Sequence, residues 1–181
     1  MNEIIKKNGI NFGIILGIVG ILSQLTVYLL GGITKENAIT GSIIQVVFWL
    51  AYLVIRIVQC NSTKKEMNGL ITFKDVFTTL TITITIGILI SQMFTFLLNN
   101  YIDVEYGKAM NTFMNEQQIV AQNAMKSFTK VSNEDLQELA KTNNFSLIKI
   151  LQGTAMAFLI SSIMNLILAA IFKSKTNIFK E

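Results

Sequence analysis

The 181-residue chain contains no histidine, no proline and a single cysteine, Cys60. Without histidine the commonest general base and metal ligand is missing. One cysteine leaves no intrachain disulfide and no cysteine-rich metal site. At the usual ~5% frequency, about nine prolines would be expected in a chain of this length. With none, its helices are free of proline kinks and no segment is a proline-rich linker. Charge is scarce too: Asp, Glu, Lys and Arg make up 14% of residues, against roughly 25% in soluble domains. Hydrophobic residues reach 51% and the mean hydropathy is +0.52. These values exclude a disordered chain and indicate an integral membrane protein, of one domain by its length.

What the chain does have is four long runs without charge: residues 8–34, 37–55, 76–102 and 150–172. Each reaches the roughly 17–25 residues a helix needs to cross about 30 Å of hydrocarbon. The expected fold is therefore all-α, a four-transmembrane-helix bundle with spans at about 9–31, 39–60, 76–101 and 150–172. Residues 79–86 alternate threonine with leucine or isoleucine, the period of a half-buried strand. A barrel strand is only ~9–11 residues long and is bounded by turns. This segment sits inside a 27-residue charge-free run, so a helix is expected, its threonines bonding carbonyls one turn back. The first span follows Lys6 and Lys7, as a signal peptide would. Its apolar part is longer than such signals carry and no A-x-A-like site follows, so it is expected to stay in place. Cys60 is expected to be an ordinary free thiol.

Lysine and arginine orient the spans. Lys6, Lys7, Arg56, Lys64, Lys65, Lys74, Lys173, Lys175 and Lys180 fall on one side with four acids, net +5; the other side carries six lysines and seven acids, net −1. Both termini are thus expected in the cytoplasm of a bacterial inner membrane, with loop 103–149 extracytoplasmic. The pI of about 9.2 is then a topology signal. No basic patch interleaves with aromatics, so no nucleic-acid partner is expected. Arg56 is the one charge near the hydrocarbon. Its simplest reading is snorkelling to headgroups within about one turn of the membrane surface. The sharper reading is a candidate anionic-lipid contact that Lys64, Lys65 and Lys74 could join.

Loop 103–149 is 47 residues long, too long for a bare connector. Tyr106, Met110, Phe113, Gln117, Val120, Ala124, Phe128 and Val131 recur at helical spacing, one amphipathic stripe that extends the third span. Ser132 and Asp135 resemble a capping box, Leu136, Leu139 and Ala140 continue at helical spacing, and Asn143 and Asn144 read as stop residues. The loop is expected to be a helical hairpin. Glu134, Asp135 and Glu138 cluster at a helix N-terminus, where negative charge is favoured without any metal. Met110, Met114 and Met125 read as packing residues rather than a copper site. No cofactor is expected.

Gly9, Gly13, Gly17 and Gly20 share one face of the first span, a doubled small-xxx-small pattern for close packing against helix two, three or four, or against another subunit. Ser161 and Ser162 are small residues on the fourth span that could serve the same purpose. Gln24, Gln45 and Gln92 convert to a similar depth and Asn165 to a different one. They are expected to act as interhelical polar contacts, with a hydrated polar pocket as the alternative. No acid lies inside a span, which argues against a proton- or cation-coupled transporter.

The stretch Met67-Asn68-Gly69-Leu70-Ile71-Thr72-Phe73-Lys74-Asp75-Val76-Phe77, followed by Tyr101 after the third span, resembles a bacterial family of small four-helix membrane proteins. That family is catalogued as domain of unknown function 4199. The four-span layout and the long polar segment before the last span match as well. The resemblance implies an inner-membrane protein without known catalytic residues. It also points to a polyprenyl-phosphate glycosyltransferase as a partner. Three functions follow for weighing. The first is a non-catalytic accessory or scaffold subunit that partners another membrane protein or itself. The second is a small transporter or channel of several copies, lined by Gln24, Gln45, Gln92 and threonines. The third is a lipid enzyme using Arg56, with Asp75 or Glu66 as its only nearby acids. The first is preferred, because no catalytic constellation is found.

Overall fold

The computed structural model describes residues 2–124 and 132–174. Six α-helices follow in order, with no strand among the described residues: α1 Glu3–Leu29, α2 Ala38–Glu66, α3 Phe73–Leu97, α4 Val104–Ala124, α5 Asn133–Lys141 and α6 Leu147–Phe172. A π-helical turn, Leu98–Ile102, joins α3 to α4. Helices α1, α2, α6 and α3 with its π-turn are long and apolar enough to cross a bilayer. The chain is a multi-pass membrane protein.

The helices run past the charge-free stretches that announce them, because caps stop a helix and charges do not. Helix α1 begins at Glu3 rather than residue 9, where the Asn2 side chain accepts the Ile4 N–H at 2.9 Å. It stops at Leu29 because Gly31 and Gly32 adopt φ of 76° and 87°, a turn open to glycine at no steric cost. Helix α2 continues to Glu66, past the expected end near residue 60. Asn68 and Gly69 then turn left-handed, and the Gly69 N–H returns to the Lys64 carbonyl at 2.8 Å. Helix α3 starts behind a Thr72–Asp75 capping box.

The closest pair of helices is α1 and α3. A Cβ added at Gly9, Gly13 or Gly17 would lie 2.7–2.8 Å from the Cβ of Ile82, Ile86 or Ile90, and one at Gly20 would meet Ser91 and Tyr52. The glycine face is thus filled by α3. The threonine–isoleucine alternation resolves here. At period two alternate threonines, and alternate isoleucines, are four apart, so on a helix the segment divides into rows. Ile82, Ile86 and Ile90 form the row against the glycines. Thr79 and Thr83 form a buried row, and the Thr83 hydroxyl donates to the Gly9 carbonyl at 3.0 Å. Leu80 packs with Val76, Cys60, Leu168 and Ala169 in the core.

One end of the bundle gathers the start of α1, the end of α2, the start of α3 and the end of α6. Asn8 donates to Thr63 and Glu66 at 3.3 and 3.1 Å. Ile71 and Ser174 exchange hydrogen bonds, and the Ser174 hydroxyl donates to the Gly69 carbonyl. The far end carries α4 and α5. Here the expected apolar stripe divides. Tyr106 and Met110 pack under Gly32, and Tyr106 meets Tyr28 edge-on at 4.9 Å, but Gln117, Val120 and Ala124 are exposed. The face toward α5 is amidic instead. Asn115 donates to the carbonyls of Ala140 and Thr142, and Asn111 and Asn115 both accept from Asn144. The Ser132–Asp135 capping box forms as expected, and α5 ends at Lys141, just before Asn143 and Asn144. Met125, Phe128 and Val131, like Lys175 and Lys180, lie outside the described residues.

Two predictions follow from this packing. Gly13→Val should destabilise the protein by about 1–3 kcal/mol, read as a lower thermal unfolding midpoint in detergent. Gly153→Ala, where nothing lies within 4 Å of the added Cβ, should not. Hydrogen bonds from Ser132 hold the Asp135 carboxyl below its ordinary range. Its cap is therefore complete at neutral pH and is lost as pH falls through that lowered value. Amide exchange over α5, corrected for intrinsic rates, should quicken below about pH 4 and should be fast at neutral pH in Asp135→Ala.

Candidate functional site

Helix α2 meets α3 near one end, where the fully buried Gln59 donates to the Thr83 hydroxyl and to the Thr79 carbonyl. Further along, α2 stands away from α3, and a cavity of about 500 Å³ opens among the four spans. Leu16 of α1 contributes to its wall. From α2 come Trp49, Tyr52, Leu53 and Arg56; from α3, Gly87, Ile88, Ser91 and Gln92; from α6, Ala157, Ile160, Ser161 and Met164. Gly87 on α3 lets Leu16 of α1 pack against the helix backbone, since a Cβ there would lie only 3.0 Å from that side chain.

Arg56 dominates this space. The residue is 9% exposed. Its guanidinium forms no hydrogen bond or ion pair with any described residue, and its Nε is buried without a partner. No acidic side chain lines the cavity. A snorkelling arginine would lie along the lipid-facing side of its helix; Arg56 is instead buried on the side of α2 that lines the cavity, and α2 runs ten residues beyond it. The expected basic group does not assemble either. Lys64 donates to the Phe172 carbonyl at 3.3 Å, across the end of α6. Lys65 and Lys74 are exposed, and none of the three lysines lines the cavity.

The four candidate interhelical amides meet four different fates. Gln24 works as expected, donating to the Ser91 carbonyl at 3.0 Å and accepting from the Thr95 hydroxyl at 2.7 Å. Gln92 lines the cavity, the pocket alternative. Gln45 is exposed on the outer side of α2 and joins nothing. Asn165 is fully buried with both amide atoms unpaired, so it makes no interhelical hydrogen bond with a described residue. Sequence reasoning missed Gln59 and Asn8, which do join helices. A signal existed: Tyr52, Arg56, Gln59 and Thr63 recur at steps of four, three and four, one polar face of a helix. The charge-free window ended at Ile55 and hid it. Ser161 lines the cavity, while Ser162 bonds back to the Phe158 carbonyl.

The motif from Met67 to Phe77 is architectural. Gly69 supplies the turn, the Thr72–Asp75 box starts α3, Ile71 fastens the end of α6, and Phe73 stacks on Phe77 at 6.3 Å. Glu134 and Asp135 occupy the first turn of α5, where Asp135 is engaged in the cap. Removing the unpaired polarity of Asn165 should help the fold. Asn165→Leu is expected to stabilise the bundle by about 1–3 kcal/mol, seen as a raised unfolding midpoint in detergent. A lowered midpoint would show that the amide is engaged.

Neither the curated proteins nor the solved structures contain a match to this chain. A family model described as "Protein of unknown function (DUF4199)" matches residues 11–174. That stretch holds most of α1, the whole of α2 to α6 and the motif between α2 and α3, so the chain belongs to the DUF4199 family.

Proposed function

We propose that this protein is a non-catalytic accessory or scaffold subunit of a bacterial inner membrane. The observation that carries the reading is what its polar side chains do. Asn8 ties α1 to α2, Gln24 ties α1 to α3, and Gln59 ties α2 to α3. Asn111, Asn115 and Asn144 tie α4 to α5 and to the segment leading into α6. Each of these amides is engaged in joining one helix to another. Among the described residues no nucleophile is paired with a base in the manner catalysis needs.

In this reading the lysine-rich end of the bundle faces the cytoplasm, and α4 and α5 lie on the opposite side. The glycine seam is filled by α3, so a partner meets the outward faces of α2 and α6 or the α4–α5 pair. The partner to test first is a polyprenyl-phosphate glycosyltransferase, as the family resemblance indicates; self-association through the same faces is the other option. A transporter or channel of several copies is the second reading, favoured by Gln92 beside Arg56 in the cavity.

Photo-crosslinkers at Ile43 of α2 and Ile163 of α6, both exposed, should attach to the glycosyltransferase in cells at native expression, and detergent extraction should bring it down in stoichiometric amount. A lone monomer without crosslinks would argue strongly against the scaffold reading. Flux in reconstituted vesicles that is lost in Gln92→Leu would favour the second. Reporter fusions after residue 181 and at Gln122 should report the cytoplasm and the outer compartment respectively.

A further inference from the structure

A guanidinium held among transmembrane helices without a counter-charge is costly, so the identity of whatever meets Arg56 is a physical question. Among the described residues the chain itself offers nothing: no acid lines the cavity. A second copy offers nothing either, because the four spans carry carboxylates only in their end turns, at Glu3, Glu66 and Asp75. A small inorganic anion would fill one corner of about 500 Å³ and leave water against apolar walls. Apolar walls with a few convergent polar groups are the make-up of a site for a larger ligand.

We propose that this cavity binds a monoanionic amphiphile drawn from the bilayer, its acidic headgroup on the Arg56 guanidinium and its hydrocarbon against Leu53, Ile88 and Met164. The inference stands apart from the scaffold reading. One fixed positive charge selects one negative charge. The planar fork of arginine matches a carboxylate or a phosphodiester through two parallel hydrogen bonds. Tyr52, Gln92 and Ser161 line the same space and supply donors for the remaining headgroup oxygens. Access is lateral. Trp49 and Ile160 line the cavity yet are 55% and 62% exposed, which places an opening between α2 and α6 on the lipid-facing side.

Trp49 is the chain's only tryptophan and serves as the reporter. The full-length protein is reconstituted in phosphatidylcholine nanodiscs. It is then titrated with brominated oleate or brominated phosphatidylglycerol, and brominated phosphatidylcholine sets the baseline for non-specific quenching. Saturable quenching by a few mole per cent of an anionic probe, well above that baseline, is expected. Arg56→Gln should weaken it by about tenfold or more, and Arg56→Lys by less. Ala157→Phe fills the cavity while leaving Arg56 in place. It should abolish the excess quenching and keeps the test decisive where Arg56→Gln does not fold. Saturation by phosphatidylglycerol alone identifies a phosphodiester lipid, by oleate alone a free fatty acid, and by both a site that reads charge only. Quenching no stronger than the baseline, or unchanged in the folded variants, overturns the proposal and leaves the guanidinium to water or to a partner protein.

Discussion

The close approach of α1 to α3 is the contact on which the rest of this structure depends. Lipid supplies no hydrophobic drive between helices, so association rests on van der Waals contact and on hydrogen bonds that open only at short range. Four glycines on α1 let a column of isoleucines seat directly against its backbone. At that distance the Thr83 hydroxyl reaches the Gly9 carbonyl, and Gln24 reaches Ser91 and Thr95. Helix α3 becomes the axis of the bundle. Helix α6 packs on another of its faces, and α2 is left to lean on α1 and to touch α3 near one end.

The cavity follows from that inequality. Where α2 stands off α3, no described side chain fills the space. The two ends of the bundle are shut by polar contacts of different kinds. At one end the turn after α2 captures Ser174 at the end of α6. At the other, an asparagine cluster holds α4 to α5 and to the segment leading into α6. Between these two closures lies Arg56, which forms no hydrogen bond or ion pair with any described residue.

The stretch from Met67 to Phe77 sits at the first of these closures. Its glycine turn, its Thr72–Asp75 cap and its buried Ile71 account for its residues without reference to any reaction. Sequence signatures of this kind mark where a membrane bundle is fastened, and the residues of chemical interest lie elsewhere, on the facing surfaces of α2, α3 and α6.

The number of spans, their helical character and the Ser132–Asp135 cap could be read from the residues alone. Each depends on local chemistry: a run without charge long enough for the hydrocarbon, or a side chain reaching a backbone amide three residues on. The glycine face was equally legible as a packing surface, but not its partner, because Ile82, Ile86 and Ile90 are concealed in a period-two pattern that reads as a strand until α1 lies against it. Arg56 reads as a surface charge in the sequence because it ends a charge-free run, and only the packing of the other spans around that side of α2 buries it. Gln59 and Asn165 carry similar amides, yet only the first finds an acceptor. Whether a polar group in a membrane helix is satisfied depends on which neighbour faces it and at what distance, and only the assembled bundle settles that.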